Sequence, residues 1–275
     1  MSKAVFTTVR GAFAGLAMAV ATLSISGCSS SDDEKNYVER PVEVLYNRAL
    51  DDLGAQEYKA AAKGFEEVDR QHPYSVWATK AQIMAAFAYY QSNKYDEAII
   101  ALDRFIQLHP GHRDIPYAYY LKALCFYEQI SDVGRDQRVT QQALDALAEV
   151  VKRFPESPYA RDARLKVELA IDHLAGKEMS VGRYYQGNQQ YVGAINRYRV
   201  VIERYQTTTH VPEALHRLVE SYLSLGVKQE AKEAAAVLGY NFPGSEWYQD
   251  SYYLMTGEGT PAPSDEKRGW FFGLF

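Results

Sequence analysis

Apolar residues recur along this chain at intervals of three and four, in blocks that close on proline. Five blocks align without gaps over 16 residues, starting at Tyr58, Tyr95, Thr140, Tyr191 and Lys228. The fourth residue of each is alanine: Ala61, Ala98, Ala143, Ala194 and Ala231. The eighth is bulky in four blocks (Phe65, Leu102, Leu147, Tyr198) and Ala235 in the fifth. The eleventh is apolar throughout: Val68, Phe105, Val150, Val201 and Leu238. The sixteenth is Pro73, Pro110, Pro155, Gln206 and Pro243. Offsets of three, seven and ten residues share one face of a helix. Proline lacks a backbone donor and restricts the residue before it, so it ends that helix. Nine residues before four of the block starts lies a small or modest residue (Ala49, Ala86, Gly182, Val219), and six before three of them lies an aromatic (Tyr89, Tyr185, Tyr222), a pattern that Asp52 breaks. Each block is therefore expected to be the second helix of a pair.

Helix pairs of this period are the units of tetratricopeptide arrays. The expected fold is all-α: a superhelical array of about five such pairs over residues 41–255. One pair cannot bury its own apolar face, so stacked neighbours share a continuous core. Successive block starts lie 37, 45, 51 and 37 residues apart. The third pair thus carries an insertion near 131–139. The fourth has a long first helix, roughly 159–186, with a break expected near Ala175-Gly176. In such arrays the first helices line the concave side. By register that side receives Tyr46 and Leu50, then Lys80, Ile83, Phe87 and Tyr90, then Tyr117, Tyr120, Leu124 and Tyr127. Aromatics with a few polar groups suit an extended peptide bearing apolar side chains. Packing between helices would use several of the same residues.

The ends of the chain break the helical pattern. Residues 1–27 carry Lys3 and Arg10, an apolar stretch over 12–23, and Ile25-Ser26-Gly27 before Cys28. This is the layout of a secretory signal, too short to span a membrane. Ile-Ser-Gly-Cys resembles the bacterial lipobox. That resemblance implies that Cys28 is the first mature residue and carries an N-acyl diglyceride and palmitate-type acyl chains, which anchor a domain at a bilayer. Residues 28–40 would then be a lipidated flexible tether. Ser29, in place of aspartate after the cysteine, resembles the pattern of an outer-membrane destination. Residues 256–275 read as a disordered linker with an aromatic tail, Lys267 to Phe275.

Composition narrows the chemistry. The net charge of −5 gives no electrostatic footprint for nucleic acid, and removal of residues 1–27 makes the chain more acidic. Two cysteines cannot build a disulfide scaffold. No metalloprotease, phosphate-loop, nucleophile-elbow or dinucleotide motif is present. His109 and His112 flank a Pro-Gly turn and lack a third ligand. His72 shares the repeat position of His109, so packing or capping accounts for both. Cys125 lies in an apolar helical stretch and reads as a buried structural thiol. The sequence points to a non-enzymatic scaffold with no metal and no cofactor beyond the lipid.

Longer stretches carry a specific resemblance. Ala88-Tyr89-Tyr90 followed by Ile99 to Pro110 (IIALDRFIQLHP), Phe154 to Tyr159 (FPESPY), Ser180 to Tyr185 (SVGRYY) and Ala194 to Arg197 (AINR) are similar to segments of the BamD family. These are the tetratricopeptide lipoproteins of the β-barrel assembly machinery. The resemblance covers about residues 25–245. It implies a place on the periplasmic face of the outer membrane and a partner, BamA, bound by the C-terminal half of the array. It also implies contact with the machinery's other lipoproteins. Arg197 matches the family arginine coupled to BamA, with Asn196, Tyr184 and Tyr185 beside it. The N-terminal half would receive unfolded outer-membrane β-barrel proteins, with Tyr46, Lys80, Phe87, Tyr90, Tyr120 and Tyr127 as client contacts. Gln206 departs from the family proline, and the tail ending at Phe275 lies outside the family pattern. A periplasmic repeat lipoprotein that organises cell-wall or Tol-Pal machinery is the alternative.

Overall fold

The computed structural model describes residues 39–257. The expected signal segment, Cys28, nearly all of the tether, and residues 258–275 with the aromatic tail lie outside the described residues. Eleven helices follow one another: α1 (Val42–Gly54), α2 (Tyr58–Gln71), α3 (Val76–Gln91), α4 (Tyr95–Leu108), α5 (Ile115–Tyr127), α6 (Arg138–Arg153), α7 (Pro158–Gly187), α8 (Tyr191–Arg204), α9 (Val211–Ser224), α10 (Lys228–Asn241) and α11 (Glu246–Thr256). Among the described residues there is no strand. None of their helices is long and apolar enough to cross a membrane.

The repeat register accounts for these elements. α2, α4, α8 and α10 begin at the block starts, and α6 begins two residues ahead of its own. All five block alanines are fully buried, as are Val68, Phe105, Val150, Val201 and Leu238. Each second helix ends in one backbone geometry: φ −133, −129, −130, −125 and −135° at His72, His109, Phe154, Tyr205 and Phe242. Tyr205 adopts it although Gln206 follows where the other repeats have proline. The turns into α2, α4, α8 and α10 also repeat. Gln56, Asn93, Gln189 and Gly226 all take left-handed φ, from 59 to 76°. Only Gly226 does so without a Cβ penalty.

Each helix packs on its sequence neighbours, and α1 also touches α3, α3 touches α5, and α5 touches α7. The odd-numbered helices therefore line one side of the array, while grooves open between even-numbered ones on the other. The core is a string of local clusters, such as Phe65 with Leu45 and Ala81, or Phe105 with Leu121 and Cys125. Cys125 is fully buried, and burial pushes its thiol up to about 12. His109 and His112 both pack on Phe105, at 5.1 and 5.5 Å between ring centres.

Two expectations need revision. α7 does not break at Ala175-Gly176; it runs unbroken for 30 residues, about 45 Å at 1.5 Å per residue. Gly176 serves close approach instead. A Cβ there would lie 3.3 Å from His210 Nε2 and 3.5 Å from Val133. The glycine lets α7 pass between the α5–α6 insertion and the α8–α9 turn. The insertion itself, residues 128–137, is fastened to α7 by His173, whose ring nitrogen lies 2.7 Å from the Ser131 carbonyl, and by Lys177, which donates to the Gly134 carbonyl at 3.0 Å. The array also closes with an extra helix: α11 packs on α9 and α10 beyond the fifth pair.

Candidate functional site

The inner side of α3, α5 and α7 carries a continuous run of phenols. Tyr120 and Tyr159 stack at 5.2 Å and 22°, and Tyr117 lies 5.5 Å from Tyr159. The Tyr120 hydroxyl donates to Asp162, which also pairs with Lys166 at 2.8 Å. The Lys166 ammonium lies 5.5 Å from the centre of the Tyr127 ring. Tyr90 extends the run from α3, with its ring 5.9 Å from Tyr95. Burial pushes the Tyr117 and Tyr90 phenols up to about 12, Tyr90 with help from the Glu128 charge. Tyr120 rises further, by burial and then by its bond to Asp162. These hydroxyls stay protonated at neutral pH; Tyr120 donates its proton to Asp162 and Tyr90 to Glu128, the latter at 3.4 Å, and the rings are half-buried. Such a strip can accept from the backbone N–H groups of an extended peptide through its phenol oxygens while its rings cover apolar side chains.

The structure sorts the expected client residues. Tyr90, Tyr120 and Tyr127 join this strip. Tyr46 does not: it is 8% exposed and packs between Phe65 and Trp77, at 5.4 and 4.8 Å between ring centres, so it belongs to the core. Ile83 is buried too, and Phe87 leans on the Phe105 cluster. Lys80 lies 5.4 Å from the Trp77 ring, one repeat away from the strip's centre. Tyr159 and Lys166 were missed. Register from the Tyr191 block marks α7 only near its C-terminal end, at Gly182 and Tyr185, and the 30-residue helix carries Tyr159 and Lys166 far upstream of those positions.

The C-terminal half holds a different arrangement. Arg197 on α8 donates to Glu178 on α7 at 3.1 Å. Asn196 is exposed. Tyr184 is 69% exposed, whereas Tyr185 packs into the core over Gly193. Behind them runs a polar network that the sequence did not reveal. Arg183 bonds both carboxylate oxygens of Glu213 at 3.0 Å. Arg217 bonds Glu220 at 2.8 Å, and Gln186 donates to the same carboxylate at 2.9 Å. Gln186 also accepts from the Tyr198 hydroxyl at 2.7 Å. The buried His216 ring lies 2.8 Å from Ser251 Oγ and 3.5 Å from Glu220. Burial alone would raise the Glu220 carboxyl, but bonds from His216, Gln186 and Arg217 outweigh it and hold the group at about 2. This network ties α7, α8, α9 and α11 together.

Helix pairs repeating in this register define a tetratricopeptide-type array. The chain matches the family described as "Outer membrane lipoprotein" (YfiO) over residues 38–238, and it belongs to that family. A relative from Caulobacter vibrioides named "Outer membrane protein assembly factor BamD" is 50% identical over 92% of this chain and 84% of its own. Relatives of the same name from Rickettsia prowazekii and Neisseria meningitidis serogroup A are 45% and 36% identical, covering 87% and 81% of this chain and 95% and 89% of theirs. Among solved structures, a TPR2AB domain of yeast Sti1 is 12% identical over 78% of this chain and 82% of that one, with a TM-score of 0.40.

Proposed function

We propose that this chain is a non-catalytic scaffold subunit of the outer-membrane protein assembly machinery. Acyl chains on Cys28 hold it at the periplasmic face of the outer membrane. The phenol strip on α3, α5 and α7 receives the unfolded strands of outer-membrane β-barrel proteins. The C-terminal half engages BamA and the machinery's other lipoproteins, with Arg197 at that contact. The single observation that carries this reading is the Tyr117–Tyr120–Tyr159 cluster on the inner face of a chain in the outer membrane lipoprotein family.

The Arg197–Glu178 pair refines the test. A partner acid that contacts Arg197 must share it with Glu178 or displace it. Residues 29–275 are titrated against the isolated periplasmic domain of the matching BamA, as wild type, Arg197→Glu and Glu178→Gln. Arg197→Glu should weaken binding by at least about tenfold, in the range for truncating one partner of a desolvated charge pair. Glu178→Gln should preserve or tighten it. Binding indifferent to both variants moves the interface elsewhere; no binding at all favours the envelope-organiser alternative. In parallel, a peptide with the C-terminal strand of a β-barrel client is titrated against Tyr120→Ala and Tyr159→Ala. Unchanged peptide affinity in both would remove the strip from client binding.

A further inference from the structure

The first two repeats leave apolar side chains uncovered at one end of the array. Consecutive helices run antiparallel through short turns, so α1 and α3 start at this end while α2 and α4 finish there. Val42 at the start of α1 packs on the same core cluster as Trp77 at the start of α3. Between Val42 and Leu108 six large apolar side chains are exposed, and four of them lie at this end. Tyr74, in the α2–α3 turn, is fully exposed, and Val76, which opens α3, is 78% exposed. Val44 in the first turn of α1 and Leu108 at the end of α4 are each 55% exposed.

The turn itself does not require them. At the position of Tyr74 the four later turns carry Gly111, Glu156, Thr207 and Gly244; at that of Val76 they carry Arg113, Pro158, Thr209 and Glu246. Nor is the tip a frayed end. The Ser75 amide donates to the His72 carbonyl at 3.0 Å, and Ser75 Oγ caps α3 by accepting from the Ala78 amide at 3.1 Å. Tyr74 and Val76 are thus held out into solvent on a fixed turn, at a cost in exposed apolar surface that a covering surface would remove.

The chain enters the array at this same end. Cys28 stands fourteen residues before Val42, a stretch that spans at most about 46–50 Å. With acyl chains on Cys28, this end is the part of the body held nearest the bilayer. The tether makes contact with lipid intramolecular, so a small apolar surface suffices. Tyrosine suits such a boundary, with an apolar ring and a hydroxyl that reaches the headgroups.

We propose that Tyr74, Val76, Val44 and Leu108 rest in the boundary between headgroups and acyl chains, so that the first two repeats touch the outer membrane directly. The assignment rests on the lipid-anchor reading of Cys28 given above and not on the client strip.

Photo-crosslinking in native outer membranes tests it on the full chain, with benzoylphenylalanine replacing Tyr74. After irradiation, mass spectrometry of the tryptic peptide 71–80 should show a phospholipid adduct. The same group replacing Asn188, exposed at the opposite end of the array, should show none. Val44→Ser, Val76→Ser and Leu108→Ser together should cut the lipid adduct at position 74 by at least about fivefold. All three positions are exposed, so the urea midpoint should not move. A protein adduct at position 74 in place of lipid would overturn the assignment and mark the tip as a partner contact. Equal lipid adducts at positions 74 and 188, or none at either, would overturn it as well. The mass of the mature N-terminus separates the two readings: acylated Cys28 without a lipid adduct at position 74 removes the contact alone, whereas unmodified Cys28 removes the anchor and the contact with it.

Discussion

Glu220 shows how strongly a single residue of the C-terminal network is held. With a folded value of about 2 against an ordinary value of 4.5, its ionised form is favoured by folding. That contribution is fully present above the ordinary carboxylate range and is lost as pH falls from 4.5 toward 2. Glu220→Gln should therefore cost about 2–3 kcal/mol at pH 7. In urea titrations across pH, the gap from wild type should narrow below pH 4.5 and close near pH 2. A gap that stays constant with pH would mean the side chain acts by packing alone. The sequence hid this role. Glu213, Arg217 and Glu220 fall three and four apart on α9, a spacing that reads equally well as a solvent-facing ladder of i,i+4 pairs. Only the approach of Arg183 and Gln186 from α7 turns it inward. Tyr46 misled in the opposite sense. Its register marks a helix face but not whether Phe65 and Trp77 will close over it.

At the scale of elements, the sequence was most legible where one rule repeats. Alanine at the crossing and an apolar residue seven positions on are enough to place α2, α4, α8 and α10 at their first residue. The proline rule held even where proline is missing, because the Tyr205 backbone matches its four counterparts. Gln206→Pro should therefore fit without strain and stabilise by about 0.4–1 kcal/mol through the unfolded chain, read as a raised urea midpoint with unchanged slope. A destabilised variant would show that the fourth repeat ends differently from the other four. The expected break at Gly176 failed for a physical reason. A glycine within a helical pattern marks a close approach as readily as a stop, and here His210 and Val133 supply the approach. The α11 helix had no block of its own to announce it.

For the whole molecule, the dominance of sequential contacts makes stability local. An array of this kind is a sum of neighbouring interfaces, so damage should spread only a repeat or two. Ending the chain at Ser245 removes Trp247 and Ser251 from α9. Hydrogen exchange should then show protection lost in α9 and α10 and unchanged in α1 to α4. Uniform loss throughout would instead mark the array as one cooperative unit. The same architecture has a redox consequence. Cys125 is sealed inside the α3–α5 stack, where burial pushes its thiol up to about 12 and disfavours the reactive thiolate at neutral pH. Residues 29–275 contain no other cysteine. In an oxidising compartment the body thus offers disulfide exchange no ready nucleophile, so it does not cross-link to its neighbours through sulfur. A cysteine introduced anywhere on its surface becomes the body's one reactive sulfur.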